Sequence, residues 1–230
     1  MFLSNTDGAY PGKCPTGCPL MQLGNIRTGN KCDHVQMHML SVQCQAAQDA
    51  VSKKLVAAAE AGSVSDVAAA LDQGARVNQP CTTGRKALHT AVAAGHEDVA
   101  ELLLAREADV NGQDCLGWTP LMVAAICGQT QIAALLLSRG AAVNAMCGPC
   151  GPLHFAAWQG HAEVAALLLE RGAHIGLHQP RDGLTPLHLA AFYNQPAVAQ
   201  LLLDKGADAA AKLDSGQTPI DLAKNRGTAA

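Results

Sequence analysis

Apolar residues in this chain cluster into blocks that recur at a nearly fixed interval from about residue 52 onward. Leucine triplets stand at Leu102–Leu104, Leu135–Leu137, Leu167–Leu169 and Leu201–Leu203, so their first members lie 33, 32 and 34 residues apart. The segments "KALHTAVAAGH", "TPLMVAAICGQ", "GPLHFAAWQGH", "TPLHLAAFYNQ" and "TPIDLAKNRG" keep the same register, as do "GARVN", "EADVN", "GAAVN", "GAHIG" and "GADAA". Each period predicts two short helices. Thr119, Thr185 and Thr218 are N-cap residues, each followed by a Pro suited to the first helical position. Ala-Ala pairs (Ala124-Ala125, Ala156-Ala157, Ala190-Ala191) keep the first helix slim, and Gly95, Gly128 or Gly160 breaks it. The second helix carries the leucine triplet and closes at Gly140, Gly172 or Gly206. A unit this small buries its faces only against neighbouring units.

On these residues, the TPLH and GADVN-like signatures above all, the chain resembles the ankyrin repeat family from about Ser52 to its end. The resemblance implies an all-α ankyrin-repeat solenoid of stacked helix-turn-helix units with short β-hairpin loops. A capping repeat is expected at 52–79, full repeats at 80–112, 113–145, 146–176 and 177–210, and a terminal half repeat at 211–230. Residues 1–51 are rich in Gly, Asn, Thr, Gln and Cys and have no sustained period. They are expected to form a flexible, largely disordered N-terminal segment, with a short helix from about Gln45 into the first repeat.

Composition narrows the picture. Aromatic residues make up only 3% of a chain that is 49% apolar, so the core must come from Ala, Leu and Val, which favours helices. A net charge of −3 and the lack of any basic run beyond two residues argue against a nucleic-acid surface. No apolar run approaches the ~20 residues of a membrane span, and "MFLSNTDGAY" lacks the features of a signal peptide. Nine cysteines in such a chain read as reduced thiols, so the expected compartment is cytoplasmic or nuclear. The chain is expected to be a monomer that associates with neither nucleic acid nor membrane.

Candidate chemistry centres on the cysteines. Cys147 and Cys150 spell C-G-P-C, the tetrapeptide of thioredoxin-like exchange, but the pattern around them supplies no strand–helix unit to lower a thiolate pKa. The repeat at 146–176 is one residue short, which aligns Cys150 with Trp118 and places the motif at a hairpin tip. A reversible disulfide between this possible redox pair is one alternative to a plain loop. Another is a zinc knuckle built from Cys14, Cys18, Cys32, His34, His38 and Cys44. No phosphate-binding glycine loop, H-E-x-x-H or G-x-S-x-G occurs. The expectation is a non-enzymatic chain with no cofactor and no bound metal. A redox- or zinc-responsive regulatory protein is the alternative reading.

The resemblance also implies where a partner would bind: the hairpin tips and the exposed side of each first helix, where the family varies. The positions expected to contact a protein partner are Arg85, Leu116, Trp118, Ile126, Trp158, Gln159, Arg181, Leu184, Phe192 and Tyr193. Four of the five aromatic residues in the repeats fall among them, and only Phe155 is assigned to the buried side. The function expected is that of a protein-interaction scaffold or adaptor. In addition, "LLLAREADVN" is similar to the asparaginyl hydroxylation sites of ankyrin repeats, which makes Asn111 a possible hydroxylation site. His89, His154 and His188 are the repeat histidines, which in the family hydrogen-bond at the hairpin–helix junction.

Overall fold

The computed structural model describes residues 49–81, 84–178 and 183–227, the last three without their side chains. The described residues form helices α1 (49–61), α2 (Val64–Asp72), α3 (Ala87–Ala94), α4 (Glu97–Ala105), α5 (Pro120–Cys127) and α6 (Thr130–Ser138). They continue with α7 (Pro152–Gln159), α8 (Ala162–Glu170), α9 (Pro186–Phe192), α10 (Pro196–Asp204) and α11 (Pro219–Gly227). Helices α3, α5, α7, α9 and α11 pack in succession as one layer, and α2, α4, α6, α8 and α10 as a second. Helix α1 takes in residues 49–51 of the expected N-terminal segment; residues 1–48 lie outside the described part.

Burial explains the leucine triplets. Their middle members, Leu103, Leu136, Leu168 and Leu202, are fully buried, each one turn after a buried Val99, Ile132, Val164 or Val198. The flanking leucines are mostly half-buried against this core. Ala124, Ala125, Ala156 and Ala157 are likewise fully buried, where the slim first helices stack.

Helix ends follow their sequence signals. Thr119 and Thr185 cap α5 and α9 by accepting the N–H groups of Met122 and His188. At α11 the exchange is reciprocal: Asp221 donates its N–H to Thr218 Oγ1 (3.3 Å), and its carboxylate accepts the Thr218 N–H at 3.0 Å. These contacts hold the Asp221 carboxyl below its usual pKa. Gly140 closes α6 in the left-handed region (φ 86°), its N–H on the Leu137 carbonyl and that of Ala141 on Leu136. The same two bonds close α4, yet the left-handed residue there is Glu107 (φ 64°), which carries a Cβ penalty.

The expected hairpins are tight loops rather than strands. Among the described residues the β-type pairing is an isolated bridge between Cys147 and Cys150. In three loops the N–H of Cys81, Asp114 or Leu213 donates to the carbonyl of Arg85, Trp118 or Gln217. The glycine inside each loop (Gly84, Gly117, Gly216) is left-handed and returns a bond to the first residue. In the short repeat Cys147 and Cys150 exchange both bonds instead (2.9 and 3.2 Å), around a Gly148-Pro149 turn with Gly148 at φ 57°. The missing residue has thus shortened the turn and left the helices in register.

Two polar devices tie successive repeats together. Asn78, Asn111 and Asn144 each bridge two backbone groups of the following unit. Their Nδ2 atoms donate to the carbonyls of Glu107, Gly140 and Gly172 (3.2, 3.2 and 3.1 Å). Their Oδ1 atoms accept the N–H groups of Asp109, Ala142 and His174 (2.8, 2.8 and 2.9 Å). The second device runs backwards: His96, His161 and Gln195 donate to the carbonyls of Glu60, Ile126 and Trp158. Each lies over a preceding glycine, and a Cβ at Gly128 (φ 70°) would sit 2.6 Å from the His161 ring.

Two stability predictions follow from this geometry. Asn111→Ala or Asn144→Ala should each cost about 1–2 kcal/mol in urea unfolding, because both bridging bonds go at once. Glu107→Gly should raise stability by roughly 0.5–1 kcal/mol, since relief of the left-handed strain exceeds the entropy of the added glycine. An unchanged urea midpoint in either case would contradict the corresponding account.

Candidate protein-interaction surface

Five aromatic rings form a continuous row across three repeats. Trp118, at the entry to α5, lies 5.8 Å from Phe155 on α7, centroid to centroid. Phe155 lies 6.4 Å from Trp158 on the same helix, and Trp158 lies 5.7 Å from Tyr193 at the end of α9. Tyr193 meets Phe192 edge-on at 5.0 Å. Such tilted contacts suit the ring quadrupoles. Exposure is graded along the row. Phe155 is buried at 7%, Trp118 and Tyr193 are half-buried, and Trp158 and Phe192 reach 37% and 41%.

The row thus brings together Trp118, Trp158, Phe192 and Tyr193, with Phe155 as the link between the two tryptophans. Sequence reasoning had placed Phe155 on the buried side and missed that linking role. The signal was its i,i+3 spacing from Trp158, which puts both rings on one helix face. Among the other candidates, Leu116 is 58% exposed at its loop tip. Ile126 and Leu184 are half-buried, and Arg85 and Gln159 are exposed. Arg181 lies outside the described residues, as do Cys14, Cys18, Cys32, His34, His38 and Cys44. Asn111 is exposed, but its amide is engaged at both ends by the bridge to Gly140 and Ala142.

A buried carboxylate organises the loop that presents Leu116 and Trp118. Asp114 Oδ1 accepts the N–H groups of both residues at 2.9 Å. The Trp118 carbonyl in turn accepts the Asp114 N–H and a bond from His89 Nε2 at 2.9 Å. Trp118 is therefore held by its main chain as well as by its ring.

The C-G-P-C loop is a tight turn in the same row of tips. The Cys147 thiol donates to the Leu116 carbonyl at 3.1 Å. Burial, reinforced by the nearby Asp114 carboxylate, pushes that thiol above its ordinary pKa. A nucleophilic cysteine needs the opposite shift. Among the described residues no cluster of three or more His, Cys, Asp or Glu could hold a metal ion. None of the described helices is long and apolar enough to cross a membrane.

The helix pairs, their capped entries and their linked loops agree with a comparison to known families. A family model for ankyrin repeats (3 copies) matches residues 55–147, 108–179 and 153–228. The chain belongs to the ankyrin repeat family, whose repeats are general protein–protein interaction modules. No curated protein matches it significantly.

The repeat histidines behave as core groups. His154 and His188 accept, at Nδ1, the N–H of Gly151 and Thr185 (3.3 Å each), at their own hairpin–helix junctions. His89 instead reaches forward to Trp118. Burial pushes all three below the ordinary imidazole pKa, and backbone groups of the next loop only partly offset it. All three therefore resist protonation in the fold, whereas in the unfolded chain they protonate below about pH 6.5. Their contribution to stability is complete above that pH and is lost as pH falls through the depressed native values. The urea midpoint should therefore drop between pH 7 and 5. His154→Gln should show a shallower slope than the parent, and an identical slope would exclude His154 as a source of the dependence.

Proposed function

We propose that this chain is a non-enzymatic adaptor or regulatory subunit that binds a protein partner along the aromatic row of α5, α7 and α9. The observation that carries the reading is the row itself. Its rings are aligned by mutual contact, and Trp158 and Phe192 present a substantial part of their surface to solvent. Aromatic side chains pre-ordered in this way lose little entropy on binding and dominate interface energetics elsewhere. Leu116 extends the apolar surface at its loop tip, and Arg85 offers a polar anchor at the repeat before it. The redox alternative has less support, because the Cys147 thiol is a hydrogen-bond donor whose pKa is raised.

The test is affinity capture by the full chain beside a Trp158→Ala/Phe192→Ala variant, with bound proteins identified by mass spectrometry. Trp118 is left in place because its ring and main chain belong to the fold. Each substitution should remove about 2 kcal/mol of binding, or roughly 30-fold in affinity. Far-UV circular dichroism and the urea midpoint should stay near those of the parent. A folded variant that retains the same proteins would overturn the assignment.

A further inference from the structure

The asparagine bridge occurs at three successive interfaces and is missing at the fourth. Gly176 stands where Asn78, Asn111 and Asn144 stand in the preceding units. The backbone it would have bridged is nevertheless set in the same way. Gly206 and Ala207 donate to the Leu203 and Leu202 carbonyls (2.9 Å each), as Gly172 and Ala173 do to Leu169 and Leu168. The Gly206 carbonyl and the Asp208 N–H therefore occupy the places that Gly172 and His174 hold one unit earlier, where Asn144 bonds both. A Cβ added at Gly176 would meet no atom within 4 Å. Beside that position is an open cavity of about 370 Å³ whose lining includes Ile175, Gly176, Thr185, Ala207, Asp208 and Lys212, and Gly206 directly precedes Ala207 of that lining.

We infer that this cavity at the junction of the last two full repeats is a binding site for a primary carboxamide supplied from outside the chain. The recognition chemistry is the one seen three times within the molecule. The ligand's N–H₂ donates to the Gly206 carbonyl, and its carbonyl oxygen accepts the Asp208 N–H. A carboxylate or ester has no N–H for the first bond, and a tertiary amide has none either. The cavity exceeds the size of one amide, so the segment that carries it also fits. Asp208 and Lys212, both in the lining, bring polar groups to it. Two sources share this chemistry: the side chain of an Asn or Gln on a partner protein, and a free small amide. The site is separate from the aromatic row, so its failure would leave the proposed partner surface untouched.

The test uses the full chain labelled with ¹⁵N. Acetamide, N,N-dimethylacetamide, acetyl-Gly-Asn-Gly-N-methylamide and the same peptide with Asp for Asn are titrated in turn. The Asp208 amide resonance should shift saturably with acetamide and with the Asn peptide, and respond at least tenfold more weakly to the other two probes, which can make only the bond to the Asp208 N–H. Gly176→Asn supplies the bridge internally. It should raise the urea midpoint and abolish both responses. A lower dissociation constant for the Asn peptide than for acetamide would assign the site to a partner side chain; an equal or higher one would assign it to free amides. The inference is overturned if neither amide shifts Asp208, if dimethylacetamide shifts it equally, or if the shift survives in folded Gly176→Asn.

Discussion

No helix pair in this chain can satisfy itself, and the next pair completes it. The constraint is apolar first: the middle leucine of each triplet is sealed only when a neighbouring unit covers it. It is equally polar. The carbonyls at the close of α4, α6 and α8 and the N–H groups two residues on are bonded by an asparagine of the preceding unit. The ends of α1, α5 and α7 are bonded by a His or Gln of the following unit. Because every bond of this kind spans about one repeat, stability accumulates from interfaces, and a defect at one interface is local. Glu107 and Gly176 are two such defects, and each leaves the helices on either side in place.

This locality explains what could be read from the sequence and what could not. The leucine triplets, Thr-Pro entries and closing glycines are each set by their own helix, so spacing alone located helices, caps and core. The shortened loop at Cys147–Cys150 was also legible, because the alignment of Cys150 with Trp118 depends only on counting. Phe155 was read as a core residue from its register, which was correct for its burial. Its second role required knowing that Trp118 comes from the preceding repeat to meet it. "GAHIG" was visible as a departure from "GAAVN", yet its consequence was not, since the groups that Asn144 bonds lie about thirty residues downstream.

The cysteine motif shows the same limit from the other side. Four letters suggested an exchange reaction, whereas the pKa of a thiol is set by its surroundings. Here those surroundings are a loop whose carbonyl the thiol serves and a carboxylate that disfavours the thiolate. Asp114 thereby has three roles in one place. It fixes the loop that carries Leu116 and Trp118, it raises the Cys147 thiol, and it opposes the lowering of the His89 imidazole.

The aromatic row follows from the same economy. A core of Ala, Leu and Val leaves shallow space between stacked first helices, and large rings placed there cannot be swallowed whole. Phe155 fits beneath its neighbours, and Trp118 and Tyr193 are covered in part. Trp158 and Phe192 are pushed outward by the rings they touch. Each ring is thus oriented by packing and held by its repeat. Trp158 is also anchored at its carbonyl by Gln195 of the next unit. A surface of this kind is ordered before any partner arrives, so the cost of fixing its side chains falls on folding and not on association. That division requires the stack to be intact. Under the proposed function, a change that loosens the interface at Gln195 weakens binding on α7 without altering a ring of the row, which ties the proposed surface to the same nearest-neighbour bonds that hold the fold.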